Sequence, residues 1–253
     1  MKIESYGISN VGMKRTQNED SYLINDEIHL YIVSDCTGGH LGGEYASKVA
    51  VHTVEEVMRI FRFDPEVTMI SGVNTEECNP GDQLTHAIQE AGHRIHEQAM
   101  LDENLRGMGT TAVVALFSEG KLYIAHVGDS RAYRLRNGKI KQITEDHSLV
   151  TEQVKAGMIS QEDAKAHKLK NIITRSVGYQ EEVDIDVTPC ELEVGDRFLL
   201  CSDGLSNLIE DGEMEEILKN HEIREACEKL VNTANSRGGD DNITALALQV
   251  DEI

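Results

Sequence analysis

The sequence predicts an α+β fold in which helices flank two packed antiparallel β-sheets. Two segments, residues 43–61 and 82–100, carry their apolar side chains on one helical face, which is typical of helices that cover a sheet. Several shorter apolar runs have the length and composition of strands. The pair Asn137-Gly138 joins two of these runs as a hairpin, so antiparallel sheets are expected.

The segments around these helices predict a loop and a small surface subdomain. Asp82 is predicted to cap the second helix, because its side chain can accept hydrogen bonds from the first free backbone N–H groups. Residues 64–81 contain two prolines and two glycines and predict a loop. Residues 146–174 predict short, charge-rich helices with little apolar face, and therefore a subdomain on the surface.

Composition is typical of an ordered globular chain. The 253 residues are 40% apolar, include three prolines and contain no linker-like stretch, so we expect a single domain over residues 1–253. Acidic residues number 45 against 24 basic ones, and the net charge of -21 disfavours binding to nucleic acid or anionic lipid. An acidic chain needs a local positive charge to handle an anionic substrate, and bound divalent cations can supply it.

The cysteines and the first residues indicate a reducing compartment. The five cysteines are odd in number, widely spaced and without a C-x-x-C pair, which argues against a disulfide framework and a zinc site. The first ten residues include Lys2 and Glu4 and no apolar run, so neither a signal peptide nor a membrane span is expected. A cytoplasmic protein without membrane insertion is predicted.

Aspartates mark the ends of several predicted strands. Apolar runs lead into Asp35, Asp129 and Asp203, and a further run follows Asp241. Singly, an aspartate at a strand end usually caps a turn or faces water. Four such positions together predict a site for hard divalent cations, Mg²⁺ or Mn²⁺, which prefer oxygen ligands.

The glycine-rich turn over residues 35–43 has a weaker alternative interpretation. It leads into the first long helix, where backbone N–H groups can cradle a phosphate. It lacks the Lys-Ser/Thr ending of a nucleotide loop and the spacing of a dinucleotide fingerprint. A sharp turn beside a metal is the better interpretation.

Six short motifs occur in a characteristic order along nearly the whole chain. The sequence therefore resembles the metal-dependent serine/threonine protein phosphatases of type 2C, the PPM family, in its bacterial form. Each motif is weak alone, and the ordered set carries the resemblance. The motifs are Arg15-Thr-Gln-Asn-Glu19-Asp20, Ser34-Asp35-Cys-Thr-Gly-Gly-His40, Gly107-Met-Gly-Thr-Thr111, Val127-Gly-Asp129-Ser-Arg131, Cys201-Ser-Asp203-Gly-Leu205 and Gly239-Asp-Asp241-Asn-Ile-Thr244.

The resemblance implies a four-layer α-β-β-α sandwich with a metal centre of two or three ions at one end. Asp35 is implied to bridge two ions, with the backbone carbonyl of Cys36 as a further ligand. Residues 147–178 resemble the mobile flap of the family. The remaining implied roles are metal ligands at Asp129, Asp203 and Asp241, phosphate binding by Arg15, and outer groups that hold metal-bound waters at Glu19 and Asp20.

The implied activity is removal of phosphate from phosphoserine and phosphothreonine in proteins. Two ions that share a water lower its pKa, so that the bridging hydroxide attacks phosphorus without a phosphoenzyme. Arg15 suits phosphate because its planar fork can make two hydrogen bonds. Phosphorylated proteins and a cognate serine/threonine kinase are the implied partners, and the protein is expected to be a monomer.

Some positions depart from the family pattern. Cys36 occupies a usual glycine position, where a residue with a Cβ would be strained if the turn needs a positive φ. Its thiol could also make the site sensitive to oxidation. Thr37 stands where eukaryotic relatives carry a histidine proposed as general acid, so leaving-group protonation is unassigned. His40 is interpreted as structural, His126 as a packed core residue.

Three open points concern register and function. Either Asp240 or Asp241 could face the metals, and family register favours Asp241. Because of Cys36, a catalytically silent phosphoprotein-binding module of the same fold is the alternative function. A metal-dependent phosphohydrolase of small phosphate esters is a third possibility, since substrate choice lies in surface loops.

Overall fold

The structure is a computed structural model that describes residues 1–36, 42–64 and 78–253. Most of the predicted loop at 64–81, together with Thr37 and His40, lies outside the described residues. The prediction for residues 64–81 is wrong at its end, because Pro80 and Gly81 already belong to a helix.

In the described part of the chain, ten strands form two five-stranded sheets whose strand pairs are all antiparallel. The first sheet has the order β1-β10-β9-β6-β7, and the second has the order β2-β3-β4-β5-β8. The strands are β1 Lys2–Asn10, β2 Ser21–Asn25, β3 Leu30–Ser34, β4 Ala112–Ser118, β5 Lys121–Val127, β6 Arg131–Arg136, β7 Lys139–Gln142, β8 Asp186–Glu191, β9 Arg197–Cys201 and β10 Ile243–Glu252.

The predicted hairpin is confirmed. Strands β6 and β7 are joined by Asn137 and Gly138, both of which have positive φ, at 52° and 71°. Positive φ at both central residues gives the turn a twist that matches that of the flanking strands, which is why Asn-Gly is favoured there.

Helices cover the outer face of each sheet. Helices α1 (Gly43–Phe63) and α2 (Pro80–Leu101) pack on the second sheet, and their buried alanine, valine and leucine side chains form one core with β3, β4 and β5. Helices α5 (Asp203–Ser206), α6 (Asp211–Asn220) and α7 (Ile223–Ser236) pack on the first sheet. Both long helices predicted from periodicity are confirmed.

The cap predicted for the second long helix is wrong. Asn79 is the N-cap, and its Oδ1 accepts hydrogen bonds from the backbone N–H groups of Gly81 and Asp82. Pro80 fits the first helical position because its fixed φ suits a helix and its missing N–H would have no partner there. Asp82 lies one turn inside and accepts a hydrogen bond from Asn79 Nδ2 at 2.5 Å.

A third apolar layer lies between the two sheets. Tyr31 packs edge-on against Phe117, and Phe117 packs edge-on against Phe198, with ring centroids 5.9 and 6.0 Å apart. These rings come from both sheets, so the sheets face each other across a continuous core. The helix, sheet, sheet, helix order confirms the predicted four-layer α+β sandwich.

The predicted charge-rich helical segments are confirmed as α3 (Leu149–Lys155) and α4 (Gln161–Ala166). Ser148 and Ser160 cap them through side-chain oxygens. A backbone hydrogen bond from Leu149 N–H to Ile172 O, 2.8 Å, joins the two ends of this segment. Backbone hydrogen bonds from His147 N–H to Gly128 O, 2.9 Å, and between Thr110 and Val177 tie it to the sandwich. None of the helices within the described ranges combines the length and apolarity that crossing a bilayer requires.

Candidate active site

The four predicted aspartates Asp35, Asp129, Asp203 and Asp241 line one cleft of about 1000 Å³ at an end of the sandwich. The cleft is also lined by Arg15, Glu19 and Cys36 and, from the segment before β8, by residues 171–176, 179, 180 and 182–184, among others. Thus the structure brings together every predicted site residue except Asp20, which lies buried behind the cleft.

The strand order explains why the aspartates meet. Asp35 directly follows β3, an interior strand of its sheet, and Asp203 follows β9 by two residues. Strand β10 begins beside the end of β9, which puts Asp241 next to Asp203. Gly204 permits this approach, because a Cβ there would lie 2.0 Å from the carbonyl oxygen of Asn242. The ends of both sheets therefore open into the same cleft.

Burial and mutual repulsion perturb these carboxyl groups. Burial, together with neighbouring Asp20 and Asp203, raises the pKa of Asp35 well above its usual range. Burial and the charge of Asp203 raise the pKa of Asp129 to about 8. Burial and Asp241 also raise the pKa of Asp203. Without a compensating positive charge, the cluster must hold protons near neutral pH.

Asp20 supports the cluster from behind. Its Oδ2 accepts hydrogen bonds from Ser202 Oγ at 2.9 Å and Thr244 Oγ1 at 2.6 Å. Its Oδ1 is buried and receives no hydrogen bond from a donor group, while the Asp35 carboxyl lies within hydrogen-bonding reach. A contact between two carboxyl groups needs a proton or a cation, and burial first of all raises the pKa of Asp20 to about 6.

Arg15 lies over the acidic cluster. Its Nη2 donates to Asp241 Oδ2 at 2.8 Å, and both side chains remain partly exposed to the cleft. Asn242 holds the loop that carries Arg15: its Nδ2 donates to the carbonyl oxygens of Val11 and Gln17, and its Oδ1 accepts from Glu19 N–H at 2.9 Å. Sequence reasoning missed Asn242, although its place directly after Asp241 was visible in the last motif.

Two threonines fix the backbone of Asp35, and sequence reasoning missed both. Thr111 Oγ1 accepts from Asp35 N–H at 2.9 Å, and Thr111 N–H donates to Asp35 O at 2.7 Å. Thr110 Oγ1 donates to the same carbonyl oxygen at 2.8 Å. The signal was the Gly107-Met-Gly-Thr-Thr111 motif, whose hydroxyl groups are buried in the fold.

Cys36 fits its position without the anticipated strain. It forms an isolated antiparallel bridge with Thr110, and among the non-glycine residues that the structure describes, positive φ occurs at His29, Glu119 and Asn137 but not at Cys36. Gly43 provides the space for its side chain, because a Cβ at residue 43 would lie 2.0 Å from Cys36 Sγ. The glycine usual at position 36 is therefore not needed for backbone conformation here.

The structure places the neighbouring aspartates Asp240 and Asp241 in different surroundings. Asp241 lines the cleft, whereas Asp240 forms an exposed ion pair with Lys14, as family register predicts.

His126 is 2% exposed and stacks on His147, which confirms a packed histidine. His126, His147 and Asp186 place potential metal-ligating atoms within 4.8 Å of one another. A cation already lies there, because Arg175 Nη1 is 3.0 Å from Asp186 Oδ1.

An acidic cleft at the end of a four-layer sandwich, with an arginine over it, is the arrangement of a metal-dependent phosphohydrolase. Residues 13–247 match the protein phosphatase 2C family, and the chain belongs to that family. The resemblance drawn from the motifs is thus confirmed.

Named relatives agree with this assignment. The chain is 40% identical to the serine/threonine phosphatase stp of Listeria innocua over 94% of this chain and 92% of that protein. The crystal structure of the serine/threonine phosphatase PstP/Ppp of Mycobacterium tuberculosis has a TM-score of 0.87, with 32% identity and 99% of both chains covered. A structure of the PstP catalytic domain with two manganese ions has a TM-score of 0.85, with 32% identity and 99% of both chains covered. The chain is a metal-dependent protein serine/threonine phosphatase, and the catalytically silent alternative is not favoured.

Proposed function

We propose that Asp35, Asp203, Asp241 and the carbonyl of Cys36 hold two Mn²⁺ or Mg²⁺ ions, with a third ion at Asp129 and Asp203. The observation that carries this proposal is the convergence of four aspartates on one cleft, where the carboxyl pKa values of Asp35, Asp129 and Asp203 are raised. Oxygen donors of this kind suit hard divalent cations. The manganese pair in the PstP catalytic domain supports the same chemistry for this chain.

The donor set fits such ions on its own chemistry. Protons that the raised pKa values retain on the cluster can be replaced by cations, which relieves the repulsion between Asp35 and Asp203. The buried Oδ1 of Asp20 lacks a donor, so a water held by an ion could donate to it. Glu19 lines the cleft and is proposed to hold such a water as well.

Bound ions would supply Lewis acidity to the phosphate and would lower the pKa of a water, which is the chemistry that hydrolysis of a phosphate ester needs. Arg15 exchanges its hydrogen bond with Asp241 for hydrogen bonds to phosphate oxygens, which places the phosphate over the cluster. The fixed guanidinium charge also reduces the repulsion between the carboxylates and a dianionic substrate. Buried strands hold Asp35 and Asp203, so little freedom is lost when the substrate binds.

The substrate is proposed to be a phosphoserine- or phosphothreonine-containing protein. Residues 171–176 of the proposed flap line one part of the cleft, where they can contact residues on either side of the phosphorylated one. The large volume of the cleft favours this over the small-ester alternative. A serine/threonine kinase must generate such substrates, and it is the proposed functional partner.

The proposal also places the protein as a cytoplasmic monomer made of one domain. Cys78, Cys190, Cys201 and Cys227 are free thiols, which suits a reducing compartment. A net charge of -21 opposes self-association. Strand β1 pairs with β10, so the two ends of the chain share one sheet, and residues 147–178 are proposed as its flap.

Hydrolysis of a phosphothreonine peptide by the purified protein tests the proposal. Turnover should require added Mn²⁺ or Mg²⁺ and stop with a chelator. The catalytic efficiency for the peptide should exceed that for p-nitrophenyl phosphate. Equal or greater efficiency for the small ester would favour the small-ester phosphohydrolase, and inactivity across a manganese titration would overturn the proposal.

A further inference from the structure

His147 makes hydrogen bonds to both backbone polar groups of Gly128, its N–H and its C=O. The His147 backbone N–H donates to Gly128 O at 2.9 Å, and the Gly128 N–H donates to His147 Nδ1 at 3.1 Å. Gly128 directly precedes Asp129 and has a φ of 101°, so it lies in a conformation that other residues rarely adopt. The backbone position of Asp129 therefore depends on the two hydrogen bonds that His147 makes.

The tautomer of His147 follows from these contacts. Because Nδ1 accepts from the Gly128 N–H, the ring proton lies on Nε2, which donates to Asp186 Oδ2 at 3.2 Å. Burial first of all lowers the pKa of His147, which keeps Nδ1 unprotonated. Arg175 Nη1, 3.2 Å from Nε2, cannot donate to this protonated nitrogen, so its ion pair is with Asp186 at 3.0 Å.

The same residues connect His147 to the flap side of the cleft. Thr174 N–H donates to His147 O at 2.8 Å, and both Thr174 and Arg175 line the cleft. Asp186 begins β8 and pairs in register with His126 of β5, so it is part of the sheet. His147 thus lies where the flap, the sheet and the Asp129 loop meet.

We propose that His147 is a positioning residue that couples the flap to Asp129: Asp186 and Arg175 orient its ring, and the ring holds the Gly128 peptide in place. This inference rests on the proposed function, in which Asp129 is a metal ligand. A shift of the Thr174–Arg175 backbone during substrate entry changes the orientation of His147 and with it the position of Asp129. The flap then tunes the ion at Asp129 and leaves the ions at Asp35 and Asp241 unchanged.

Two substitutions of His147 separate its two contacts. His147→Ala removes both the acceptor for Gly128 N–H and the link to Asp186. His147→Asn keeps an acceptor oxygen near the position of Nδ1 and removes the link to Asp186. Arg175→Gln and Asp186→Asn weaken the link on partly exposed residues, so they report on the coupling even if His147→Ala does not fold. His221→Ala, at a histidine paired with Glu225 between α6 and α7, is the matched control.

The main readouts are hydrogen exchange at the Gly128 amide and calorimetric titration with Mn²⁺. For His147→Ala we expect loss of Gly128 protection and an affinity of the weakest Mn²⁺ step about tenfold lower, the effect typical of removing a group that orients a ligand. Asp129→Asn should weaken the same step. His147→Asn should retain Gly128 protection, and Arg175→Gln and Asp186→Asn should weaken the Mn²⁺ step with smaller changes. His221→Ala should match the unaltered protein.

Unchanged Gly128 exchange and an unchanged Mn²⁺ titration in folded His147→Ala would overturn the inference. If that variant does not fold, unchanged titrations in both Arg175→Gln and Asp186→Asn would overturn it. The failure of the proposed function has a different signature, because the unaltered protein would then bind no Mn²⁺ in the cleft and would hydrolyse no phosphopeptide.

Discussion

The two sides of the cleft are built in different ways. The aspartate wall, formed by Asp35, Asp129, Asp203 and Asp241, stands on strands whose side chains are almost wholly buried. The opposite wall, named the flap wall after the proposed flap, is formed by residues 171–176, 179, 180 and 182–184, and it is held largely by backbone hydrogen bonds and by the ion pair of Arg175 with Asp186. Helix α3 beside it buries Val150 alone among its residues, whereas α2 buries nine.

This difference indicates that the aspartate wall serves the chemical step and that the flap wall serves substrate choice. Ligands on buried strands keep their geometry, which a metal centre requires. Segments that bury little apolar surface open at low free-energy cost and tolerate sequence change. We therefore expect substitutions in the aspartate wall to abolish turnover of every substrate, and substitutions in the flap wall to change which phosphoproteins are used.

The largest effect is expected for Asp203→Asn. Loss of this carboxylate weakens at least one proposed metal site, and several kcal/mol of transition-state stabilisation correspond to an activity loss of about 10³-fold. Phosphopeptide hydrolysis under saturating Mn²⁺ measures it. Asp211→Asn, at the first residue of α6 as Asp203 is of α5, is the matched control and should retain activity. Full activity of Asp203→Asn would contradict the proposed role of Asp203 as a metal ligand.

Arg15→Ala should have the next largest effect. Charge-assisted hydrogen bonds contribute about 1.5–3 kcal/mol, so kcat/KM should fall about tenfold to a hundredfold. Arg15→Lys should recover only part, because a lysine cannot form the planar fork. Lys14→Ala, which loses an exposed ion pair with Asp240, is the control. Equal kinetics for Arg15→Ala and Lys14→Ala would contradict a phosphate-binding role.

The free energy of unfolding of the chelated protein should fall as pH rises from about 4 to about 8. The lower limit is the carboxyl pKa in the unfolded chain, about 4, and the upper limit is the pKa of Asp129 in the folded protein, about 8. The folded pKa of Asp129 is raised to about 8, so the folded state binds its proton more tightly and loses that advantage as the proton dissociates. Thermal unfolding measures the trend. Asp129→Asn should make it shallower, and the Mn²⁺-induced rise in Tm should grow with pH. If stability instead rises over this pH range, and rises equally in the unaltered protein and in Asp129→Asn, the predicted direction of the pH dependence is wrong.

Tyr179→Ala should alter the use of phosphopeptides and spare small esters. Tyr179 lines the cleft from the flap wall and is 61% exposed, so it can contact residues beside the phosphorylated one. The KM for a phosphothreonine peptide should rise about threefold to tenfold, corresponding to one ordered contact of roughly 1 kcal/mol. Met158→Ala, at an exposed apolar residue outside the cleft, is the control. An equal change with p-nitrophenyl phosphate would indicate a role nearer the chemistry.

The smallest effect is expected for Cys36→Gly. Cys36 has an extended backbone and room beside Gly43, so removing its side chain relieves no strain. Phosphopeptide hydrolysis should change less than about threefold, which is below 1 kcal/mol. A large gain in activity would instead support the interpretation that Cys36 silences the site.

The fold and the aspartate wall were predictable from the sequence because both depend on local signals. Apolar runs ending in aspartate identify strand ends, and two amphipathic segments identify α1 and α2. Pro80 and Gly81 were assigned to a loop because they break helices in the interior, although proline is favoured at a first helical position. The start of α2 was therefore placed too late.

Residues that act through tertiary hydrogen bonds were harder to predict. Asn242, Thr110 and Thr111 hold segments that are distant in sequence, and their side chains are ordinary polar residues until those segments meet. His147 is of the same kind, because its partners Gly128 and Asp186 belong to different elements. A positioning role of this sort has no local sequence signal.

Anomalous X-ray diffraction from crystals grown with Mn²⁺ would locate the metal ions themselves. At least two manganese peaks are expected inside the cleft, in contact with Asp35, Asp203 and Asp241. Absence of peaks among these three carboxylates, with manganese bound elsewhere or not at all, would contradict the proposed metal centre.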